Sequence, residues 1–379
     1  MKIMVIDSSF PGDDNPYGDH FVYKRLQAYL SIDNTIELLV VRIAKNMPLK
    51  DKYIYKGINV SFCKKENIYD LYNEFAPDKV LIHFYPGCLN KYLISKINKE
   101  VLVWVHGVEA LSWVRRIFNL EIRNIVSFMK YIVGNIIQLR RFKELVKISN
   151  SKQKKVTFIF VSNWMKKITE KDTGEKIKNY KIIPNYIDTD FFQTEKKDNT
   201  YSNKILLIRN FDSKKYATDI AFKGLEILKK IVDNPKKFKI TIVGKGKYLK
   251  KLEPKLKGLD YTIINNYLNH DEILKLHGCN GIFLCPTRQD SQGVTMCEAM
   301  SSGLVCIASN NTAIPEFLSP NCGILTNNKP YEIAEAIKYL NENSNYFESM
   351  SKNARLEIID KAGFEKTIKE ELDLIINKR

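Results

Sequence analysis

The feature that most constrains the fold is the stretch from Gly281 to Ser309. It contains two short apolar runs, Gly281–Cys285 and Leu304–Ala308, separated by a polar loop and a helix-like segment. The helical pattern covers Thr295–Ser301, and Gly303 marks its end. A strand, a glycine-bearing loop, a helix and a second strand form one βαβ unit of a parallel sheet. The stretch therefore predicts an α/β protein.

The loop within this unit brings an unusual set of polar groups together. Asp290 lies in the loop and Glu298 in the helix, with seven residues between them. The helix begins with the backbone N–H groups of Gln292, Gly293 and Val294, which suit an anion or a hydroxyl-rich ligand. A carboxylate further along the helix can accept hydrogen bonds from paired sugar hydroxyls. Because ligands of parallel sheets bind outside the carboxyl ends of the strands, the loop predicts a site for a phosphorylated sugar compound.

The spacing from Asp290 to Glu298-Ala299-Met300 resembles the motif of retaining GT-B glycosyltransferases of glycosyltransferase family 4, also called glycosyl transferases group 1. The resemblance implies two Rossmann-like, doubly wound parallel-sheet domains facing an interdomain cleft. It also implies that the first acid contacts the donor sugar and that the second holds the nucleotide ribose. The family usually has glutamate at the first position, so the shorter Asp290 leaves the sugar and the contact distance open.

A chain of 379 residues is long enough for two domains. We expect residues 1–190 to form an N-terminal Rossmann-like acceptor-binding domain and residues 200–355 a C-terminal nucleotide-sugar-binding domain. The polar stretch 194–203 predicts the linker, and the resemblance implies that a helix within 356–379 returns to the first domain. Apolar runs predict strands over 2–6, 37–41, 60–62, 78–83, 101–105, 156–161, 205–208, 238–243 and 261–264.

Candidate site residues in the first half follow predicted strands. Gly18 and Asp19 lie between the first strand and the first helix, and His106 directly follows the strand 101–105. From the residues alone, Gly18 suits an ordinary loop as well as a phosphate contact, and His106 suits a structural role as well as a functional one. The resemblance implies that Gly18 faces the donor phosphate or the acceptor and that His106 contacts the donor sugar. It assigns Asp19 and Glu109 to acceptor binding.

Candidate donor ligands in the second half follow the strand 205–208. Arg209, Lys214 and Lys215 are cations placed to meet a diphosphate, although surface cations would look the same. The resemblance implies one arginine and one lysine at about this spacing, and it leaves open whether Lys214 or Lys215 is the lysine. Gly244, at the end of another strand, fits a nucleotide-binding turn better than a dinucleotide fingerprint. Catalysis would then use His106, Asp290, Arg209 and Lys215.

No metal or cofactor is expected. Asp188-Thr189-Asp190 has the form of a metal-binding pair but lies in a segment that resembles the end of the first domain in the family. The cations named above would stabilise the leaving diphosphate in place of a metal. The seven cysteines contain no CxxC pair, which predicts reduced cysteines in a cytosolic protein.

The net charge of +17 and the segment 111–148 suggest a membrane partner. This segment alternates apolar residues with lysine and arginine, a pattern that fits an interfacial basic helix or an ordinary surface helix pair. Lysine-rich usage from an AT-rich genome would explain the charge equally well. The dispersed cations argue against nucleic acid. No apolar run approaches the ~18 residues needed to span a bilayer, and the amino terminus has no cleavage region for a signal peptide.

We therefore expect a retaining, metal-independent glycosyltransferase that moves a sugar from a nucleotide-diphosphate sugar to a glycan acceptor, which is lipid-linked. The setting would be bacterial surface polysaccharide synthesis, of the O-antigen or capsule kind, in the cytoplasm at the cytosolic face of the inner membrane. Two alternatives stay open. One is a GT-B epimerase or hydrolase of sugar nucleotides, and the other is a non-catalytic basic protein that binds nucleic acid.

Overall fold

The structure is a computed structural model that describes residues 1–15, 18–46, 51–121 and 124–376. The chain forms two compact units. The first consists of Met1–Arg115, Leu120–Tyr186 and the described residues from Thr367 onward. The second consists of Arg116–Asn119 and Ile187–Lys366, so the polar stretch 194–203 lies within it. Each unit has its own sheet, and the expected class of two parallel-sheet α/β domains is confirmed.

The sheet of the first unit has eight strands in the order β3-β4-β2-β1-β5-β6-β7-β8. All neighbours are parallel except β3, which pairs antiparallel with β4. The strand order reverses between β1 and β5, and such a switch point is where doubly wound sheets bind ligands. The strands are β1 (Lys2–Ile6), β2 (Glu37–Ile43), β3 (Lys52–Tyr55), β4 (Ile58–Cys63), β5 (Lys79–His83), β6 (Glu100–Val105), β7 (Val156–Phe160) and β8 (Tyr180–Ile182).

Strands β3 and β8 were not predicted. Both lie at the edges of the sheet, and they alternate or expose their side chains instead of forming an apolar run. Central strands such as β5 and β7 are buried along their whole length, which is why hydrophobic runs identified them.

Among the residues that the structure describes, five α-helices belong to the first unit, and the segment 111–148 supplies one of them. It forms a 3₁₀ stretch over Trp113–Asn119 and one long helix, α3, so a pair of α-helices is not what the structure shows. Ile122 and Arg123, which the charge pattern included, lie outside the described residues. The helices are α1 (His20–Ile32), α2 (Ile68–Phe75), α3 (Ile125–Asn150), α4 (Asn163–Thr173) and α12 (Glu370–Ile376).

Helix α12 is fixed in the first unit by one buried carboxylate. Glu371 is fully buried and accepts hydrogen bonds from Arg25 Nε at 2.8 Å, Tyr29 Oη at 2.6 Å and Trp104 Nε1 at 2.9 Å. Its donors come from α1 and β6, so the last helix is joined to two separate elements of this unit. A buried charge is tolerated only when it is paired and hydrogen-bonded in this way.

The second unit has a six-stranded parallel sheet in the order β11-β10-β9-β12-β13-β14. The order is that of a Rossmann sheet, and its switch point lies between β9 and β12. The strands are β9 (Lys204–Ile208), β10 (Lys239–Val243), β11 (Asp260–Ile264), β12 (Ile282–Cys285), β13 (Val305–Ser309) and β14 (Gly323–Thr326). The helices are α5 (Thr218–Ile231), α6 (Leu249–Leu252), α7 (His270–Cys279), α8 (Val294–Ser301), α9 (Ile314–Phe317), α10 (Pro330–Glu342) and α11 (Ser344–Ala362).

Candidate functional site

Arg209 follows β9 at the switch point of the second unit, where α8 begins after β12. Its Nη1 donates to Thr295 Oγ1 at 2.7 Å and its Nη2 to the carbonyl oxygen of Cys285 at 3.2 Å. Within the described part of the chain, Nε of Arg209 is buried without a hydrogen-bond partner. A buried guanidinium whose hydrogen-bonding capacity is only partly used is a preorganised positive charge. Thr295 was not among the predicted site residues.

Gly244 supports the position of Arg209. It has a φ of +138°, and a Cβ on it would lie 1.8 Å from the carbonyl oxygen of Arg209. The preceding residue, Val243, accepts a 3.0 Å hydrogen bond from the Arg209 backbone N–H. Glycine at 244 is therefore required by the close approach of two strand ends.

The ring of Tyr216 connects Lys215 with Arg209. The ring centroid lies 5.3 Å from the guanidinium carbon of Arg209 and 5.1 Å from Nζ of Lys215. Arg209 and Lys215 therefore share one aromatic side chain. Cations held close to each other by a ring form a suitable pair for a diphosphate.

Arg288 holds the segment that carries these lysines. Its Nη1 donates to the carbonyl oxygen of Lys214 at 2.6 Å, and its backbone N–H donates to the carbonyl oxygen of Lys215 at 2.7 Å. The same guanidinium forms a bidentate pair with Asp219, at 2.8 and 2.7 Å. The loop after β12 thus fixes the 3₁₀ turn after β9, a connection that residue spacing did not suggest.

Asp290 turns its carboxylate towards its own loop. Oδ1 accepts a hydrogen bond from the backbone N–H of Gly293 at 3.1 Å, and the N–H of Gln292 lies 3.5 Å away. Gly293 has a φ of +84° and directly precedes Val294, the first residue of α8. Two of the three backbone groups predicted to bind the ligand therefore face Asp290 in this structure.

Glu298 lies on the second turn of α8 with a side chain that is only 8% exposed. Burial raises its pKa to about 8. A buried carboxyl group in this state keeps its proton near pH 7 and can both donate and accept a hydrogen bond. Such strongly perturbed acids are common at ligand sites, and this one lies on the same helix as Thr295.

In the first unit, Gly18 and Asp19 lie before α1, beside the end of β1. A Cβ on Gly18 would lie 2.1 Å from the carbonyl oxygen of Ser9, so packing alone requires glycine there. Burial raises the pKa of Asp19 to about 6. Burial and the charge of Asp19 raise the pKa of Asp7, which directly follows β1. Asp7 and Asp19 therefore form a buried pair of carboxyl groups in the predicted acceptor loop, and their raised pKa values favour binding of a proton by the pair.

His106 and Glu109 lie together after β6. Both carboxylate oxygens of Glu109 accept backbone hydrogen bonds, one from His106 N at 2.6 Å and one from Gly107 N at 3.0 Å. Glu109 is only 2% exposed and shapes the turn that presents His106. Burial and the charge of Arg25 hold the pKa of His106 well below its ordinary value, so the ring is neutral near pH 7.

The described residues contain no group of three or more His, Cys, Asp and Glu side chains that could hold a metal ion. Asp188, from the Asp-x-Asp pattern, accepts a hydrogen bond from the backbone N–H of Phe191 at 3.1 Å, as in a turn. All seven cysteines are free thiols.

Helix α3 exposes apolar side chains over its first half. Val126 is 66% exposed and Val133 57%, while the opposite side of the helix, including Phe128 and Phe142, is buried. Further along, the exposed side carries charges, among them Arg140 and Lys147. We refer to this surface as the α3 stripe, and its members are Ile125, Val126, Met129, Val133, Ile136 and Ile137. No helix among the described residues is long and apolar enough to cross a membrane.

Comparison with known proteins finds a family model that is similar to most of the second unit. Residues 188–357 match the model of Glycosyl transferases group 1. Over 96 residues the chain is 30% identical to the sulfoquinovosyl transferase SQD2 of Arabidopsis thaliana, a match that covers 25% of this chain and 19% of that protein. The chain therefore spans about a fifth of the curated relative that it matches.

Solved structures match the whole chain. The sucrose-phosphate synthase of Thermosynechococcus elongatus has a TM-score of 0.74 at 12% identity, with 99% of this chain and 98% of that chain covered. HepE of Anabaena, in complex with UDP and glucose, has a TM-score of 0.67 at 14% identity, with all of both chains covered. The fold is thus GT-B, and residues 188–357 are similar to the Glycosyl transferases group 1 domain.

Proposed function

We propose that the protein is a retaining, metal-independent glycosyltransferase of family 4. It transfers a sugar from a nucleotide-diphosphate sugar to a lipid-linked glycan acceptor in bacterial surface polysaccharide synthesis, at the cytosolic face of the inner membrane. The observation that carries the proposal is the placement of Arg209 and the Glu298 helix on either side of the β9–β12 switch point, within the matched domain.

In this proposal the second unit binds the donor. Arg209 and Lys215 hold the diphosphate, and Glu298 accepts hydrogen bonds from the ribose hydroxyls. Asp290 and the first N–H groups of α8 contact the sugar and the phosphate nearest to it. Binding requires the Gly293 N–H to exchange its 3.1 Å bond with Asp290 for one with the ligand, which frees the carboxylate for a sugar hydroxyl.

Two features support chemistry without a metal. The guanidinium of Arg209 is buried and held by Thr295 and Cys285, so it requires little reorganisation when charge develops on the leaving diphosphate. Lys215 adds a second charge beside the ring of Tyr216 that Arg209 also contacts. The acceptor hydroxyl attacks the anomeric carbon from the face that the diphosphate leaves, and the configuration is retained.

The first unit binds the acceptor near Gly18 and Asp19, and its neutral His106 contacts the donor sugar by a hydrogen bond. The lipid part of the acceptor brings the protein to the membrane. Supporting this, the α3 stripe exposes apolar side chains over about three turns and is followed by exposed cations. Such a helix lies in the interface of an anionic bilayer.

The activity is tested by incubating the protein with UDP-glucose and other nucleotide sugars plus a bacterial lipid extract, with and without EDTA. We expect transfer from one donor, unaffected by EDTA, and retention of the anomeric configuration in the product.

Replacing Arg209 by glutamine should lower kcat/KM by about 10²-fold, in the range for removing one group that stabilises transition-state charge. Turnover at the wild-type rate would contradict the assignment. Release of free sugar without acceptor would favour a hydrolase, and conversion of the donor sugar an epimerase.

Membrane binding is tested separately by co-sedimentation with vesicles of phosphatidylglycerol and phosphatidylcholine. The double variant Val126→Glu, Val133→Glu should bind at least about tenfold more weakly, because each apolar side chain contributes ~1.5 kcal/mol or more on burial. Leu356→Glu is the matched control, since Leu356 is 55% exposed on α11 of the other unit. Equal binding by the wild type and the α3 variant would contradict the role of the stripe.

A further inference from the structure

His83 contacts His106 from the neighbouring strand. His83 is the last residue of β5, and its partner across the sheet is Trp104 of β6. Residues 104 and 106 lie on the same face because side chains alternate along a strand. The rings of His83 and His106 therefore meet, with His83 Nδ1 3.0 Å from His106 Nε2 and the ring planes 19° apart. Phe84 also packs against His106, with ring centroids 4.4 Å apart.

The contact between these nitrogens can hold one proton. Burial and the charge of Arg25 hold the pKa of both rings well below the ordinary value, so both are neutral near pH 7. A neutral imidazole carries one N–H and one lone pair. Either His83 Nδ1 donates to His106 Nε2, or His106 Nε2 donates to His83 Nδ1.

The far nitrogen of His83 decides between these arrangements. His83 Nε2 is buried and has no hydrogen-bond partner among the described residues. The ring stacks on Trp104 at 4.9 Å, and the guanidinium carbon of Arg25 lies 5.7 Å from the same indole. The charge of Arg25 also lowers the pKa of His83, so it acts on this ring, and a nearby positive charge favours a lone pair over an N–H dipole at an unbonded nitrogen. His83 thus carries its proton on Nδ1.

We propose that His83 is a positioning residue that donates its Nδ1–H to Nε2 of His106 and so keeps the proton of His106 on Nδ1. His106 then faces a substrate as a hydrogen-bond donor, suited to a sugar hydroxyl oxygen or a phosphate oxygen. The inference about the tautomer rests on the contacts around His83. Its consequence for turnover rests on the proposed function of His106.

The tautomer is measured directly by ¹⁵N NMR of the full chain labelled at its five histidines, with the His106 signals assigned from His106→Gln. We expect a protonated Nδ1 and an unprotonated Nε2 on His106 in the wild type.

In His83→Asn the side-chain amide can occupy the Nδ1 position and donate, so the tautomer should persist. In His83→Leu the donor is lost, and His106 should shift towards the Nε2–H form. An Nε2–H form in the wild type, or an unchanged tautomer in His83→Leu, overturns the proposal. If His83→Leu fails to fold, the wild-type spectrum by itself decides the outcome.

Turnover of UDP-glucose, or of the best nucleotide sugar found, provides the second readout. We expect kcat to fall by about tenfold in His83→Leu, the effect of one misdirected transition-state hydrogen bond, and to be restored in His83→Asn. Wild-type kcat in His83→Leu, with His106→Gln inactive, overturns the positioning role. Wild-type turnover in His106→Gln instead removes His106 from the proposed function, and the NMR result then stands on its own.

Discussion

Two side chains of the proposed donor site, Arg209 and Glu298, are buried without full compensation by the surrounding fold. Arg209 keeps one buried nitrogen without a partner among the described residues, and burial raises the pKa of Glu298 to about 8. Such groups lower the stability of the free protein and persist at sites where a ligand completes them. Glu298 therefore offers a test in which stability and binding change in opposite directions.

We predict that Glu298→Gln raises the melting temperature of the ligand-free protein at pH 8. The folded-state pKa of Glu298 lies above the ordinary value, so the wild type loses stability as the pH rises from about 4 to about 8. Glutamine mimics the neutral acid and removes this loss, and the two proteins should converge towards pH 4. Thermal unfolding across this pH range checks the difference. The rise in melting temperature caused by the nucleotide sugar should be smaller in the variant. A lower melting temperature of Glu298→Gln at pH 8 would contradict the account.

The two neighbouring lysines provide a matched pair. Lys215 shares the ring of Tyr216 with Arg209, and Lys214 precedes it in the same 3₁₀ turn. We predict that Lys215→Ala weakens binding of UDP by about tenfold or more, the effect of losing one charge-assisted hydrogen bond, and that Lys214→Ala changes it less than threefold. Titration calorimetry with UDP measures both. A larger loss in Lys214→Ala would reverse the assignment.

Asp290 and Glu298 could be found from the sequence because the spacing between them is local. The partners that hold the site could not, since their roles depend on distant contacts. Thr295 meets Arg209 across 86 positions, and Arg288 meets Asp219 across 69. His83 and His106 are brought together by strand register. Asp290 and Glu109 were predicted as ligand contacts, and the structure adds that both bind backbone N–H groups, which a motif does not reveal.

At the level of elements, α12 is the segment whose attachment depends most on one side chain. We predict that Glu371→Ala lowers the free energy of unfolding of the first unit by ~3–5 kcal/mol, because it leaves Arg25 as a buried charge without its partner. Asp373→Ala on the same helix is the control, since Asp373 is exposed and its loss should cost less than about 0.5 kcal/mol. Urea unfolding followed by circular dichroism separates the two. Equal stability of both variants would show that α12 does not depend on this carboxylate.

Elements with continuous apolar runs were predicted within one or two residues, as β1 and β10 illustrate. The segment 111–148 was harder, because apolar side chains lie on both sides of the first half of α3. Periodicity then indicates a helix but does not tell which side packs on the protein. The structure shows that Phe128, Asn135 and Phe142, spaced by seven residues, form the buried side.

At the scale of the whole molecule, the net charge of +17 predicts a measurable salt dependence. If the protein binds anionic membranes as proposed, raising the ionic strength from 0.05 to 0.5 M should weaken vesicle binding, because the Debye length falls from about 14 Å to about 4 Å. Co-sedimentation over this range, with and without phosphatidylglycerol, measures the effect. Binding that is independent of both salt and anionic lipid would contradict an electrostatic contribution.

The resemblance of one sequence motif predicted the GT-B fold, and structural similarity over nearly the whole chain confirms this prediction. The donor, the acceptor and the meeting of the two units around one substrate stay predictions, since a fold hosts many activities. The partners of Arg209 and the burial of Glu298 support the proposal of an anionic ligand with hydroxyl groups.

Titration calorimetry of UDP-, GDP-, ADP- and dTDP-sugars into the wild type and Arg209→Gln tests the central claim most directly. We predict that at least one sugar nucleotide binds the wild type with a Kd below about 1 mM, a binding free energy of about −4 kcal/mol, and that Arg209→Gln lowers the affinity at least about tenfold. Thr295→Ser, which keeps the hydroxyl that holds Arg209, should bind as the wild type does. Equal binding by the wild type and Arg209→Gln, or no binding of any of these donors, would contradict a nucleotide-sugar site at the β9–β12 switch point.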